Sequence, residues 1–257
     1  MVRGQYIAGT GMLLQRRMME IITNNITNAD TTGYKKEHLV SHSFDEVLIN
    51  RINDPHIVGQ RRVLRYSPDV GPMNYGTQVD QLYINFQDGT LEGTERSTDL
   101  ALIGDAFFVV ETTDGERYTR TGAFYIEELG YLVDGEGNYL LGENGRIYVG
   151  GMNFYVDEQG GVYIDGEYTN RIRVVSFDDN NSLRKQGSNL YFSLEAPLAT
   201  PNRYQIFQGF LETSNVDIGR EMVDMLMVFR AYETNQRMLT MIDEVVGKAV
   251  NEIGRLR

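Results

Sequence analysis

The sequence predicts an α+β protein, with coiled-coil-type helices at the N- and C-termini flanking an all-β, hairpin-rich central domain. Three observations carry this. Counting from Met225 in alternating steps of three and four gives Val228, Tyr232, Asn235, Leu239, Ile242, Val246, Ala249, Ile253 and Leu256, apolar or aromatic at every position but Asn235. The same count near the start gives Ala8, Met12, Gln15, Met19, Ile22, Ile26 and Ala29. Between these seams, short alternating runs of Val, Ile, Tyr and Phe are punctuated by Asp-Gly, Asn-Gly and Gly-Gly pairs. A seam of that period lays one helix against another rather than on a globular core. The glycine pairs supply the positive φ angles of tight hairpin turns.

The elements follow in order. The first helix runs from near Met1 to Asn28 and stops in Asn-Ala-Asp-Thr-Thr-Gly, a run poor in helix formers whose Gly33 suits a left-handed turn. Residues 1–33 form the N-terminal assembly helix and turn. Residues 34–80 read as an extended connecting segment: a short amphipathic piece (Phe44, Val47, Leu48, Ile52), an Arg-rich stretch, then breaks at Ser67-Pro68 and Gly71-Pro72. Residues 81–210 form the β-domain, with turns expected at Asp88-Gly89, Asp114-Gly115, Asp134-Gly135, Asn144-Gly145, Gly160-Gly161 and Asp165-Gly166. Thr200-Pro201-Asn202 interrupts the pattern near its end. Residues 211–257 hold the C-terminal assembly helix, preceded by the N-cap candidates Ser214-Asn215-Val216-Asp217. The strands and turns are complete without residues 219–257, so their removal should leave the β-domain folded.

At 257 residues the chain is long enough for a real core. Its net charge of −12 is unevenly placed: +3 over residues 1–66, −13 over 67–211 and −2 over 212–257. With no basic stripe to neutralise phosphates, nucleic acid is not an expected partner, and Arg61, Arg62 and Arg65 are too few to change that. There is no Cys, hence no disulfide or thiolate chemistry. No run approaches the ~18 apolar residues of a membrane span. Gln5, Gly9, Gly11 and Arg16-Arg17 interrupt any signal-peptide core, so a cleaved secretory signal is not expected.

Candidate chemistry is sparse. His38 and His42 would share a helical face near Asp45 and Glu46, but His56 lies beyond a proline and no HExxH pattern exists. Solvated histidines are the reading, with no metal site. Gly135-Glu136-Gly137 and Gly142 lie between strand-like runs and read as turns rather than a phosphate loop. Asp134, Glu136 and Asn138 alternate as a calcium loop would, without the terminal Glu of an EF-hand. Nothing singles out a glycosidase pair of carboxylates. No catalytic residue and no cofactor is expected, and the protein is read as non-enzymatic. Met222, Met225 and Met227 suit either core packing or an adaptable assembly surface. Gln15 and Asn235, polar at seam positions, read as register-setters.

Four stretches then carry a family resemblance. Asn24-Asn25-Ile26-Thr27-Asn28-Ala29-Asp30-Thr31-Thr32-Gly33-Tyr34-Lys35 resembles the "NNLAN…T.GYK" signature that closes the N-terminal helix of bacterial flagellar rod and hook proteins. Gln208-Gly209-Phe210-Leu211-Glu212-Thr213-Ser214-Asn215-Val216 is similar to the family's "QG.LE.SNV", and Arg230-Ala231-Tyr232-Glu233-Thr234-Asn235 matches "RAYE.N". Thr98 to Asp105, then Phe107 to Val110 and Tyr118-Thr119-Arg120-Thr121-Gly122, resembles "DLAI.GDGFF.V … YTR.G.F". The matches are collinear from end to end. The one departure is Ala106, where the family has Gly. Length and the extended segment resemble the distal-rod type, with the proximal-rod type next; a hook protein would be longer.

The resemblance implies a structural axial subunit of the flagellar basal body, extracytoplasmic in the periplasm or cell-wall space, passed through the flagellar export apparatus without cleavage. It implies a helical polymer of the chain itself, meeting neighbouring rod and hook subunits, with ring proteins or peptidoglycan around it. Torque would pass through the resulting tube. The assembly seam would be Met12, Met19, Ile22, Ile26, Met225, Val228, Tyr232, Asn235, Leu239, Ile242, Val246 and Ile253. Phe44 and Leu48, presented on one helical turn, would dock on the export gate. The signature residues are Asn24, Asn25, Asn28, Gly33, Tyr34, Ser214, Asn215, Arg230, Tyr232 and Glu233. A cell-wall-binding β-module is the alternative from another class, since Tyr-rich β-domains can present stacking surfaces.

Overall fold

The computed structural model describes residues 2–50, 54–58, 61–66, 69–151, 153–187, 189–193, 197 and 204–254. Ile52, Ser67-Pro68, Thr200-Pro201-Asn202 and Leu256 lie outside these, and Ile253 is described by its backbone alone. Two helices flank a β-rich centre: α1 over Val2–Thr27 and α2 over Ile218–Gly254. Among the described residues no helix is long and apolar enough to cross a membrane. The chain divides into two compact units, one of residues 1–23, 38–82 and 222–257, the other of 24–37 and 83–221.

In the first unit α1 and α2 run antiparallel. Gln5 Nε2 donates to Asp243 Oδ1 at 2.6 Å, and Asn235 Nδ2 donates to Gln15 Oε1 at 3.0 Å. A Cβ on Gly11 would fall 2.8 Å from Asn235 Nδ2, so the bare backbone there is what admits the amide. The stretch after α1 is made of antiparallel two-stranded ribbons: Val47–Asn50 with Asp69–Met73, and Asp54–Val58 with Arg61–Tyr66. Glu37–Ser43 pairs with Thr77–Ile84.

The second unit is built on the strand Phe107–Thr112. It pairs with Gly115–Thr119, Tyr139–Gly142 and Val174–Val175 in a nine-stranded antiparallel sheet. Strand periodicity sends Phe108 and Val110 to one face, among Leu100, Phe124, Leu132 and Leu140. Phe107 and Val109 go to the other, among Tyr118, Phe177, Leu183 and Tyr191. With both faces covered, four consecutive residues are buried. Gly115, Gly145 and Gly160 adopt positive φ at their turns, and Asp165-Gly166 turns at φ 51° and 87°. Asp134 Oδ1 accepts from the N–H groups of Glu136 and Asn138, which makes its alternating acids a side-chain-capped turn. Ala106, the family departure, is fully buried and keeps negative φ.

Two local readings are corrected. Asp88-Gly89 is not a hairpin turn: a Cβ on Gly89 would lie 2.0 Å from the Thr213 carbonyl oxygen, so glycine serves close backbone approach there. His38 and His42 lie on the strand Glu37–Ser43, not on a helix; His42 Nδ1 is 3.9 Å from Asp80 Oδ1.

Candidate functional site: the helical seam and a buried polar hub

On α2, Met225, Val228, Tyr232, Asn235, Leu239, Ile242 and Val246 are all half-buried, while most of their neighbours in the helix are exposed. On α1, Met12, Met19, Ile22 and Ile26 are likewise half-buried. Helical period alone places them so. The flanks remain apolar and uncovered: Leu226, Met227, Phe229, Met238, Met241 and Val245 on α2, Tyr6 and Leu13 on α1. A cleft of about 650 Å³ is lined by Tyr6, Gly9, Met12, Leu13, Tyr232 and Leu239. Met222 and Met227 are exposed and Met225 half-buried, so the first two do not serve as core in the single chain.

Phe44 and Leu48 are four apart, but the backbone is extended there: Phe44 precedes the strand Val47–Asn50, and its N–H donates to the Gly76 carbonyl. They share no helical turn. Phe44 is half-buried and Leu48 is exposed.

In the second unit, the signature residues converge from three distant stretches. Gly33 holds φ +67° beside the Arg120 carbonyl, 2.6 Å from where a Cβ would stand, and its N–H donates to Glu212 O. Tyr34 is thereby turned inward, and its hydroxyl donates to Asn25 Oδ1 at 3.0 Å. That same oxygen accepts from the Glu37 N–H, while Asn25 Nδ2 donates to Glu37 O and to Glu221 Oε2. Lys35 Nζ reaches Glu212 Oε1 at 2.7 Å with both side chains out of water, and also donates to Gln87 O. Arg120, fully buried, donates to Gly104 O and places its cation 5.0 Å from the Phe107 ring centre. Lys36 pairs with Glu221, and Lys185 with Glu37 at 2.9 Å, its ammonium also 4.2 Å from the Tyr34 ring centre. Asn215 Oδ1 accepts from Lys36 N, and its amide donates to the carbonyls of Asn85 and Gln87.

Electrostatics follow from burial. Desolvation, then the Glu37 and Glu221 carboxylates, push the Tyr34 phenol well above its ordinary range. Desolvation lowers Lys35, opposed chiefly by Glu212. Tyr191 is raised by its burial first and then by Glu37. Both tyrosines are thereby held as neutral phenols. The hub's side chains bond to one another and to backbone groups, and so tie distant chain segments together. Sequence reasoning quoted Lys35, Arg120 and Glu212 inside motifs without giving them a role. Lys35 and Glu212 are 177 residues apart, Lys35 and Gln87 are 52 apart, and Arg120 and Gly104 are 16 apart, all beyond any helical or strand period.

The chain matches three family descriptions: "Flagella basal body rod protein" over residues 6–35, "Flagellar hook protein FlgE/F/G D1 domain" over 101–170, and "Flagellar basal body rod FlgEFG protein C-terminal" over 208–252. It is 32% identical to the flagellar hook-basal body complex protein FlhO of Bacillus subtilis, with all of both chains covered. The chain belongs to the flagellar basal-body rod family. The FlgG rod protein of the same organism is 31% identical over 98% of this chain and 99% of its own, and the Caulobacter vibrioides FlgF rod protein 30% over 98% of each. This rod-family chain is a structural protein. The first matched stretch holds most of α1 and the hub's Asn25, Gly33, Tyr34 and Lys35; the last holds Glu212, Asn215 and α2 up to residue 252. These two matches therefore cover most of both terminal helices and several of the hub's residues.

Proposed function

We propose that this rod subunit polymerises through α1 and α2, its seam packing as a coiled-coil layer of a tube that carries torque towards the hook. The observation behind this is the incomplete cover of both helices: the seam is half-buried and its flanks are apolar and open. Neighbouring copies and other rod and hook subunits would supply the missing surface, at about 25 cal/mol per Å² of apolar area covered. The −13 charge of residues 67–211 keeps the remaining surface soluble. The distal-rod type is supported by chain length and by nearly full-length alignment with FlgG proteins. In this reading the protein works outside the cytoplasm, within reach of ring proteins or peptidoglycan.

Electron microscopy of the purified protein at high concentration tests the proposal. Filaments or tubes are expected, and Leu239→Asp should abolish them while leaving the β signal in circular dichroism, because a carboxylate in a dry seam costs several kcal/mol. Normal filaments from Leu239→Asp would overturn it. Export docking by Phe44 and Leu48 belongs to the same proposal, in extended rather than helical form. Secretion of Phe44→Ala/Leu48→Ala at the wild-type rate would dispose of that part.

A further inference from the structure

The three-stranded sheet Phe154–Val156, Gly161–Ile164 and Glu167–Arg171 turns one face to the core, where Phe154, Val156 and Val162 are buried. On the opposite face the strand register sets three tyrosines in a row: Tyr155 faces Tyr163, and Tyr163 faces Tyr168. Their ring centroids lie 6.3 and 5.7 Å apart. Tyr155 and Tyr168 are 59% and 54% exposed, so packing within the chain does not account for them. Beside the row lies a cleft of about 580 Å³ lined by Asn153, Phe154, Tyr155, Asp157, Tyr163, Asp165 and Gly166. Tyr163 OH is anchored on Asp157 Oδ2 at 3.3 Å, and Asp157 Oδ1 is fixed by the N–H groups of Gln159 and Gly161. The middle ring and its carboxylate are therefore held in place before any ligand arrives.

We propose that this face is a binding cleft for a polysaccharide strand. A pyranose ring has an apolar C–H face, which stacks on an aromatic ring, and a rim of hydroxyls, which donate to carboxylate and amide oxygens. A tyrosine row beside Asn153, Asp157 and Asp165 offers both. Among the described lining residues there is no aliphatic side chain, as a helix-in-groove partner requires, and no cation, as a phosphate or an acidic polymer requires. The two carboxylates repel polyanions. Tyr163 lies tilted at 39° to Tyr155 and edge-on at 69° to Tyr168, so the two exposed outer rings offer separate faces, one to each of two sugars of a chain.

This inference rests on the sheet and not on polymerisation, and its test separates the two. Isothermal titration of the full-length protein with chitohexaose should show saturable binding, and the same oligosaccharide should release the protein from insoluble chitin. Tyr155→Ala/Tyr168→Ala should weaken binding by about tenfold or more, equivalent to about 1.4 kcal/mol, with an unchanged circular dichroism spectrum and unchanged filament formation. Tyr148→Ala, an exposed tyrosine on another part of the unit, should bind as wild type. Absence of saturable binding in the wild type, equal binding by the double variant, or an equal loss in Tyr148→Ala would each overturn the proposal.

Discussion

The side chain of Asn25 uses its whole hydrogen-bonding capacity inside the protein. It accepts from the Tyr34 hydroxyl and the Glu37 N–H, and donates to the Glu37 carbonyl and the Glu221 carboxylate. Its neighbour Asn24 is exposed, and among the described residues its side-chain oxygen accepts from Asn28, one turn on. The two adjacent amides should therefore differ sharply in worth. Asn25→Ala strands a buried N–H and a buried hydroxyl and is expected to cost about 3 kcal/mol or more, at about 1–3 kcal/mol for each unsatisfied group. Asn24→Ala should change stability by about 0.5 kcal/mol or less, as exposed positions do. Urea midpoints measure both, and equal shifts would refute the assignment. The motif was legible in the sequence as a motif, Asn24-Asn25 together. Which amide is buried was not, because that is decided by Tyr34, Glu37 and Glu221, and the last of these lies 196 residues away.

At the scale of elements, the helices were the most legible part. A stripe repeated every three and four residues marks a helix, and α2 is one, with Met225, Val228, Tyr232, Leu239, Ile242 and Val246 half-buried along it. Asp217 caps it, its Oδ1 accepting from Arg220 N at 3.2 Å. Strands with both faces covered, such as Phe107–Thr112, were legible as apolar runs between glycine turns. The ribbons between Val47 and Met73 were not, and the reason is local. Pro55 and Pro72 sit inside strands, where proline removes a ladder donor and argues against a strand reading. A two-stranded ribbon with little burial, like Val47–Asn50, also has no face to imprint an alternation on its sequence. Phe44 and Leu48 follow the same logic: four-residue spacing suits a helical turn, but Leu48 is exposed on the strand Val47–Asn50 and the Phe44 N–H is taken by the Gly76 carbonyl.

For the whole molecule, the division into units makes a prediction that differs from the one the sequence suggests. Sequence pattern ends the β-domain at residue 210 and gives residues 211–257 to the C-terminal assembly helix, of which α2 itself begins at Ile218. The compact unit runs on to Glu221, because that carboxylate is buried, ion-paired with Lys36 and bonded to Asn25. Both truncations, residues 1–218 and residues 1–221, keep every strand, so both should retain the β signal in circular dichroism. They should not be equally stable. The shorter chain leaves Lys36 without its carboxylate and returns one Asn25 donor to water or to nothing. Breaking a buried charge pair by removing one partner costs about 3–5 kcal/mol, and the solvent admitted at a new chain end reduces that. A loss of about 1–3 kcal/mol for 1–218 relative to 1–221 is therefore expected, read as a lower urea midpoint at unchanged m-value. Restoring α2's first turn, three residues with no seam position among them, should recover it. Equal midpoints would mean that Glu221 belongs energetically to the assembly helix alone and that the hub ends at Asn215.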